Sequence, residues 1–301
     1  MEKNLVVGLG EVGKSIYNLF SEHVLTVGFD KDENCMDKEE FEKFKNINCS
    51  FLHITIPYSN FFIKSVINLN KKFSPRVIVI HSTVKPNTTD DLQLKLNKLM
   101  GNIAVPVIYS PIRGVYKREK KEMQAHKNGL IYDLKRYTKF FAVSKNYEGE
   151  GIEALTEYKK LISKCGVKTK QLSNVVTLEL AKVICDTTYY GWLITYAQIS
   201  NMIAGEYGVD YDEMWSFVEQ THEYLGNRPK MYPGVIGGHC IIPNLELIDN
   251  EILNLIKKIN DEYREKNSKK FVFPKKCPSC GTNTIKEFNS NTKKKDAVTR
   301  C

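Results

Sequence analysis

Apolar residues in this chain first come in short blocks and then recur at three- and four-residue steps, and the two patterns alternate through the first half. The block at 5–7 leads into Gly8-Leu-Gly10-Glu-Val-Gly13, after which Ile16, Leu19 and Phe20 keep helical spacing. Blocks at 24–29, 51–56, 76–80 and 103–109 predict strands, and periodic stretches at 61–69 and 91–100 predict helices between them. Such alternation predicts an α/β fold with a Rossmann-type, doubly wound parallel sheet. Residues 112–138 are charged and lack a clear period, which predicts a lid or surface loop. A strand at 139–143, a helix at 152–163 and a short strand at 167–172 complete this half.

From 177 to 207 there is no proline, and apolar residues keep helical steps up to Gly208. One helix of about thirty residues is therefore expected, long beside the average of ~11–12. A helix of that length suits a domain junction or a dimer interface, so a homodimer is expected. Helices at 210–219 and 245–258 follow, joined by a polar loop that carries Gly237-Gly238-His239-Cys240. The expected domains are 1–172, binding a dinucleotide; 173–266, helical and dimer-forming; and 267–301, a short basic tail resembling a zinc ribbon.

Composition narrows the class. The chain is 42% hydrophobic and 26% charged, as in an ordinary globular protein. No apolar run approaches the ~20 residues of a membrane helix, and no signal-type segment precedes residue 5, so a cytoplasmic location and no membrane partner are expected. Eight cysteines, scattered apart from Cys277 and Cys280, are too sparse for a disulfide scaffold. Residues 257–301 carry 13 Lys or Arg against 5 Asp or Glu, and the rest is nearly balanced. Nucleic-acid contact is thus open only to the tail.

The glycine turn Gly8, Gly10, Glu11, Val12, Gly13 sits between strand and helix, with Asp30 at the end of the second strand, about twenty residues on. Glycines there allow a tight turn and close approach to a pyrophosphate at a helix N-terminus, and the acid suits a ribose 2′-hydroxyl, so the expected cofactor is NAD. Pro57, Ser82, Thr83 and Ser110 follow strands, where cofactor and substrate lie in such sheets. Lys182 and Asp186 stand four apart on one helical face; they read either as a surface ion pair or, in the apolar setting of LELAKVICDTTYY, as a base and its partner. Cys240, behind two glycines, reads as a nucleophile or as an inert buried thiol. Cys277 and Cys280, with Cys301 as a third thiol, have the spacing of a structural zinc site lacking its fourth ligand.

The order GLGEVG, HSTVKPNTT, SPIRG, ELAK…DTTYY and GGHC, over residues 1 to about 245, resembles the UDP-glucose/GDP-mannose 6-dehydrogenase family. The last stretch is most similar to enzymes oxidising UDP-N-acetylhexosamines, within the wider group that includes 6-phosphogluconate and 3-hydroxyisobutyrate dehydrogenases. The resemblance implies oxidation of a primary alcohol of a sugar nucleotide, with Cys240 capturing the aldehyde as a thiohemiacetal, Lys182 as base or oxyanion stabiliser, and Thr83 positioning water. The chain departs from the pattern at Ile112, where a glutamate is usual, and at Asp186 and Asn244, where the family's asparagine and aspartate look exchanged. Only about 55 residues follow Asn244, so the family's nucleotide-binding third domain is not expected and a smaller hydroxylated substrate becomes plausible. Two alternatives stand beside this: a single-step 3-hydroxyacid-type dehydrogenase, and a non-catalytic NAD-binding scaffold whose tail engages nucleic acid or protein.

Overall fold

The seven strands expected in the first half all form, in one sheet: β1 Glu2–Val7, β2 Thr26–Phe29, β3 Asn48–Ile54, β4 Val77–Ile80, β5 Val107–Tyr109, β6 Lys139–Val143 and β7 Thr169–Gln171. This computed structural model describes residues 2–101, 104–114, 129–147, 151–237, 241–267, 286–289 and 294–297. Two units are distinguished, Met1–Lys182 and Val183–Cys301.

In the first unit the strand order is β2-β1-β3-β4-β5-β6-β7, a Rossmann-type arrangement. The first five strands are parallel, and their ends stand in register: Val7 pairs with Phe29 and Ile54, Ile54 with Ile80, and Ile80 with Tyr109. Alternate residues point to opposite faces. Val6 therefore joins Ile16, Leu19 and Phe20 of α1 (Glu11–Ser21) on one face. Leu5 and Val7 join Phe62 and Val66 of α3 (Phe62–Phe73) and Leu92 and Leu96 of α4 (Thr88–Met100) on the other. Between β2 and β3 lies α2 (Lys38–Phe44), a helix the apolar pattern does not show. Its signal is polar: Asp37 caps it by accepting from the Glu40 N–H, the Asp-x-x-Glu start of a helix.

Two expectations change. The segment expected as a loop or lid over 112–138 contains a helix, α5 (Gly129–Arg136), with Leu130, Ile131 and Leu134 buried in the same cluster as α1. Those three are one helical face, submerged in a charged composition. The sheet is also not wholly parallel, because β6 runs antiparallel to β5. The helix α6 (Gly151–Lys164) then leads to β7.

The long helix expected over 177–207 forms as three abutting segments: α7 (Val175–Leu180), a π-helical stretch Ala181–Thr188, and α8 (Tyr189–Tyr207), which ends at Gly208 in the left-handed conformation, φ 68°. Thr188 Oγ1 donates to the Val183 carbonyl five residues back, 2.9 Å. Widened turns of this type are rare and concentrate at functional sites.

In the second unit α8 packs on α12 (Glu251–Asn267). Gly191 makes room for Ile241 and Ile256, since a Cβ on it would lie 2.8 Å from Ile241. The helix expected from 245 instead begins at Glu251, where the Asn250 side chain accepts from the Ile252 and Leu253 N–H groups; α11 (Ile242–Leu245) is a separate turn before it. The short helices α9 (Tyr211–Ser216) and α10 (Glu219–Leu225) precede the loop. An antiparallel pair, β8 (Lys286–Asn289) and β9 (Lys294–Ala297), lies in the tail. Among the described residues no helix is long and apolar enough to cross a membrane.

Candidate functional site

The carboxyl ends of β1 to β4 gather the glycine turn, Asp30, Thr55 and Ser82. Gly8 has φ +94°, a conformation that favours glycine. Gly13 is where helix meets strand: a Cβ on it would lie 1.8 Å from the Gly8 carbonyl oxygen and 2.7 Å from Thr55 Oγ1. Thr55 Oγ1 donates to the carbonyls of Val7 and Gly8, at 2.9 and 2.6 Å, tying the turn to β3. Gly10 is different. It caps α1 without a side-chain hydrogen bond, and among the described residues no atom beyond its chain neighbours lies within 4 Å of the place its Cβ would occupy. The start of α1 thus borders open space on the Gly10 side, where a helix N-terminus can receive a phosphate.

Asp30 accepts from Leu9 N at 2.5 Å and from Asp32 N at 3.0 Å, which locks its carboxylate beside the turn. Asp37 and Glu40, the latter accepting from Tyr17 at 2.8 Å, border a cavity of about 220 Å³ with Leu9, Lys14 and Cys35. A dinucleotide without a ribose phosphate fits this acidic border better than one with it. The residues present therefore fit NAD. Pro57 is exposed past β3, Thr83 is half-buried past β4, and Ser82 Oγ donates to the Ile56 carbonyl at 2.6 Å, holding the two loops together.

The loop after Ser82 is held by a residue the sequence did not single out. Glu179 on α7 is buried and accepts from Asn87 N at 2.7 Å, Thr89 N at 2.9 Å and Thr89 Oγ1 at 2.6 Å. Burial pushes its carboxyl up to about 7, against these three bonds, which pull it down. It stands three residues before Lys182. Glu179→Ala would leave the buried Thr89 N–H and hydroxyl, and the part-buried Asn87 N–H, without their acceptor, and a loss of about 2–4 kcal/mol is expected in urea unfolding. A loss below about 1 kcal/mol would remove this role.

Lys182 is half-buried. Among the described residues two lysines are buried, Lys3 against the Phe44 and Lys45 carbonyls and Lys139 against His81, Ser110 and Pro111, and the sequence singled out neither. Ile112, the departure from the dehydrogenase pattern, is 4% exposed and belongs to the core around Leu130 and Phe141. In the second unit Asp186 and Asn244 are both half-buried, Asp186 in the π-helical stretch and Asn244 on α11. The loop before residue 238 is anchored: Asn260 Oδ1 accepts from Ile236 N at 2.7 Å, its Nδ2 donates to the Ile236 carbonyl at 3.1 Å, and Gln198 donates to Gly234 O at 2.7 Å and to Asn260 Oδ1 at 2.9 Å. Gly238, His239 and Cys240 lie outside the described residues, as do Cys277, Cys280 and Cys301. Among the described residues no group of three or more His, Cys, Asp or Glu side chains could hold a metal ion.

No protein-family model matches the sequence. The curated proteins that align with it are DNA ligases. That of Pelagibacter ubique is 49% identical over 51 residues, 17% of this chain and 8% of the ligase. Those of Agrobacterium fabrum and Parvibaculum lavamentivorans are 35% identical over 84 residues and 44% over 79, each 26% of this chain. The chain spans 8–11% of the length of these three relatives. Solved structures point elsewhere. The UDP-N-acetyl-mannosamine dehydrogenase Cap5O of Staphylococcus aureus has a TM-score of 0.63 at 16% identity, covering 88% of this chain and 69% of that one. A 3-hydroxyisobutyrate dehydrogenase of Mycobacterium tuberculosis has a TM-score of 0.55 at 13% identity, covering 89% and 94%.

The structural likeness establishes the dehydrogenase-like Rossmann fold. Assignment to the UDP-glucose/GDP-mannose 6-dehydrogenase family is overturned, because the curated relatives by sequence are DNA ligases. A glycine turn and polar strand ends are shared by Rossmann-type chains of many kinds, so GLGEVG, HSTVKPNTT and SPIRG report the fold and not the family.

Proposed function

We propose that the first unit binds NAD and that the chain is an oxidoreductase acting on a hydroxyl group of a small substrate. The observation that carries this reading is the open space over Gly10 at the start of α1, with Asp30 fixed beside it. Bound NAD would supply a hydride acceptor. The backbone of Gly8–Gly13 would hold the pyrophosphate, Asp30 the adenine ribose, and the loops bearing Pro57, Ser82 and Thr83 the rest of the cofactor. Lys182 is the base we assign to the substrate hydroxyl, with Thr83 orienting it and Asp186 and Asn244 as further polar groups. Cys240 is the thiol we assign to aldehyde capture if oxidation goes on to the acid. The names of the two structural neighbours suggest the substrate classes to try, a sugar nucleotide first and a small hydroxy acid second.

Exposed Tyr189, Tyr196, Ile203 and Tyr207 along α8 support a homodimer through that helix. The test of function is NADH formation from UDP-sugars and small hydroxy acids, beside calorimetric NAD binding. Asp30→Asn, which keeps an acceptor for Leu9 N, should weaken NAD binding by about 10- to 100-fold, the scale of one charged hydrogen bond. Absence of both NAD binding and NADH formation in the unaltered chain would end this reading.

The ligase alignments carry a second reading, in which the segment shared with those enzymes contacts DNA and the first unit serves as an NAD-binding scaffold. Salt-dependent binding of duplex DNA, without hydride transfer to NAD, would favour it. A structural zinc on Cys277, Cys280 and Cys301 belongs to either reading and is tested by metal analysis of the purified chain.

A further inference from the structure

Three buried ionisable side chains lie together in the sheet and have no part in the reaction as proposed: His53 on β3, His81 just past β4, and Lys139 at the start of β6. Their distances fix where the protons sit. His81 Nδ1 is 2.8 Å from the carbonyl oxygen of Ser110. That contact is attractive only if Nδ1 carries the hydrogen, since a bare nitrogen would set two lone pairs against each other. The lone pair of the neutral ring is then on Nε2, and the 3.0 Å contact between His81 Nε2 and His53 Nδ1 requires His53 to donate. His53 Nε2 is left as an acceptor, and among the described residues it is the ring nitrogen of the pair without a hydrogen-bond partner, beside the rings of Phe20 and Phe51. An orphaned acceptor is the tolerable end for such a chain, whereas a buried orphaned N–H is rare.

Lys139 Nζ donates to the carbonyls of Ser110 and Pro111, at 2.6 and 2.9 Å, and lies 3.3 Å from His81 Nδ1. An ammonium would direct its third hydrogen at the Nδ1 hydrogen; a neutral amine meets it with a lone pair. The charged groups acting on Lys139 are both cations, Lys182 and Arg113, with the Tyr158 phenol of α6 on the Ser110 side. Burial, then these cations, hold its pKa well below the ordinary 10.5, and burial likewise depresses His53, to about 3, and His81.

We propose that Lys139 is a positioning residue acting as a neutral amine: with His81 and His53 it forms one proton-ordered chain that sets the Ser110–Pro111 turn, and a proton added to Lys139 breaks that order. That the turn borders the substrate rests on the proposed function; the proton order does not. The unfolded chain binds a proton on this lysine up to about 10.5 while the folded one releases it earlier. Stability should therefore rise as pH climbs from the folded-state value towards 10.5, and be lost as pH falls through that window.

Nitrogen NMR of the full chain at neutral pH should show an uncharged Lys139 amine and Nδ1–H tautomers at both His53 and His81. An ammonium at Lys139, or an Nε2–H tautomer at His81, overturns the proposal. Between neutrality and about pH 10 the stability of the unaltered chain relative to Lys139→Met should rise with pH, the thiols Cys49 and Cys165, whose pKa values burial raises, acting alike in both; an unchanged slope overturns it too. Lys139→Arg, a permanent cation at the same place, should be less stable than Lys139→Met, and the reverse order would count against a neutral site. Should either variant fail to fold, the spectrum of the unaltered chain still decides. Absence of NADH formation would remove the catalytic reading and leave these signals where they are.

Discussion

Gly13→Ala will fail to reach the native fold, whereas Gly10→Ala will fold and lose its grip on NAD. The added methyl at residue 13 would meet the Gly8 carbonyl oxygen at 1.8 Å, and Gly8 cannot retreat, because its N–H is bonded to Phe29 O at 2.9 Å and its carbonyl accepts from Thr55. Overpacking in a core costs about 1–3 kcal/mol when side chains can give way. Here the obstacle is main chain, so a cost above about 3 kcal/mol is expected, a large part of the ~5–15 kcal/mol that holds a typical domain. At Gly10 the methyl enters open space, and the cost to the fold is about 1 kcal/mol or less, that of a poorer N-cap. The same methyl stands where phosphate would approach, and NAD affinity should fall by about tenfold or more. Circular dichroism and urea unfolding read the first effect, and calorimetry the second. Normal NAD binding by Gly10→Ala would show that this face does not hold the cofactor.

Lys182→Met is expected to lower kcat by about 10²–10⁴-fold, the range a positioned base contributes, while leaving the NAD dissociation constant within about twofold. Cys240→Ala answers a separate question. If the thiol captures an aldehyde, the variant stops after one NADH per substrate and releases the aldehyde, where the unaltered chain gives two and an acid. One NADH per turnover from both proteins would make the thiol incidental. Parallel loss of kcat and NAD affinity in Lys182→Met would assign that lysine to cofactor binding.

The first five strands were legible because each is a largely apolar run buried on both faces, and the glycine turn because its backbone demands exclude other residues. What escaped depends on contacts distant in sequence. Lys139 follows Tyr137 and Thr138 and resembles any solvated strand end; it is buried because the Ser110 and Pro111 carbonyls, nearly thirty residues earlier, arrive to accept its hydrogens. His53 and His81 did leave a trace, each standing in or beside an apolar run, at FLHITI and IVIHST. A histidine in such a place is buried and must share its protons with something. Glu179 left less, since only the fold shows that α7 brings it to the start of α4. The antiparallel turn of β6 was not readable at all, because strand direction is set by the route of the connection.

Val7, Phe29, Ile54, Ile80 and Tyr109 end in register, and this flush edge separates what can vary from what cannot. A one-residue insertion within any of these strands would turn buried side chains to the wrong face. The segments beyond the edge, such as 83–87 and 111–114, carry no such constraint of alternation. Substrate preference in this scaffold should therefore be transferable by exchanging the exposed positions of those connectors, with the strands and the buried Val84 and Ile112 kept as a fixed chassis.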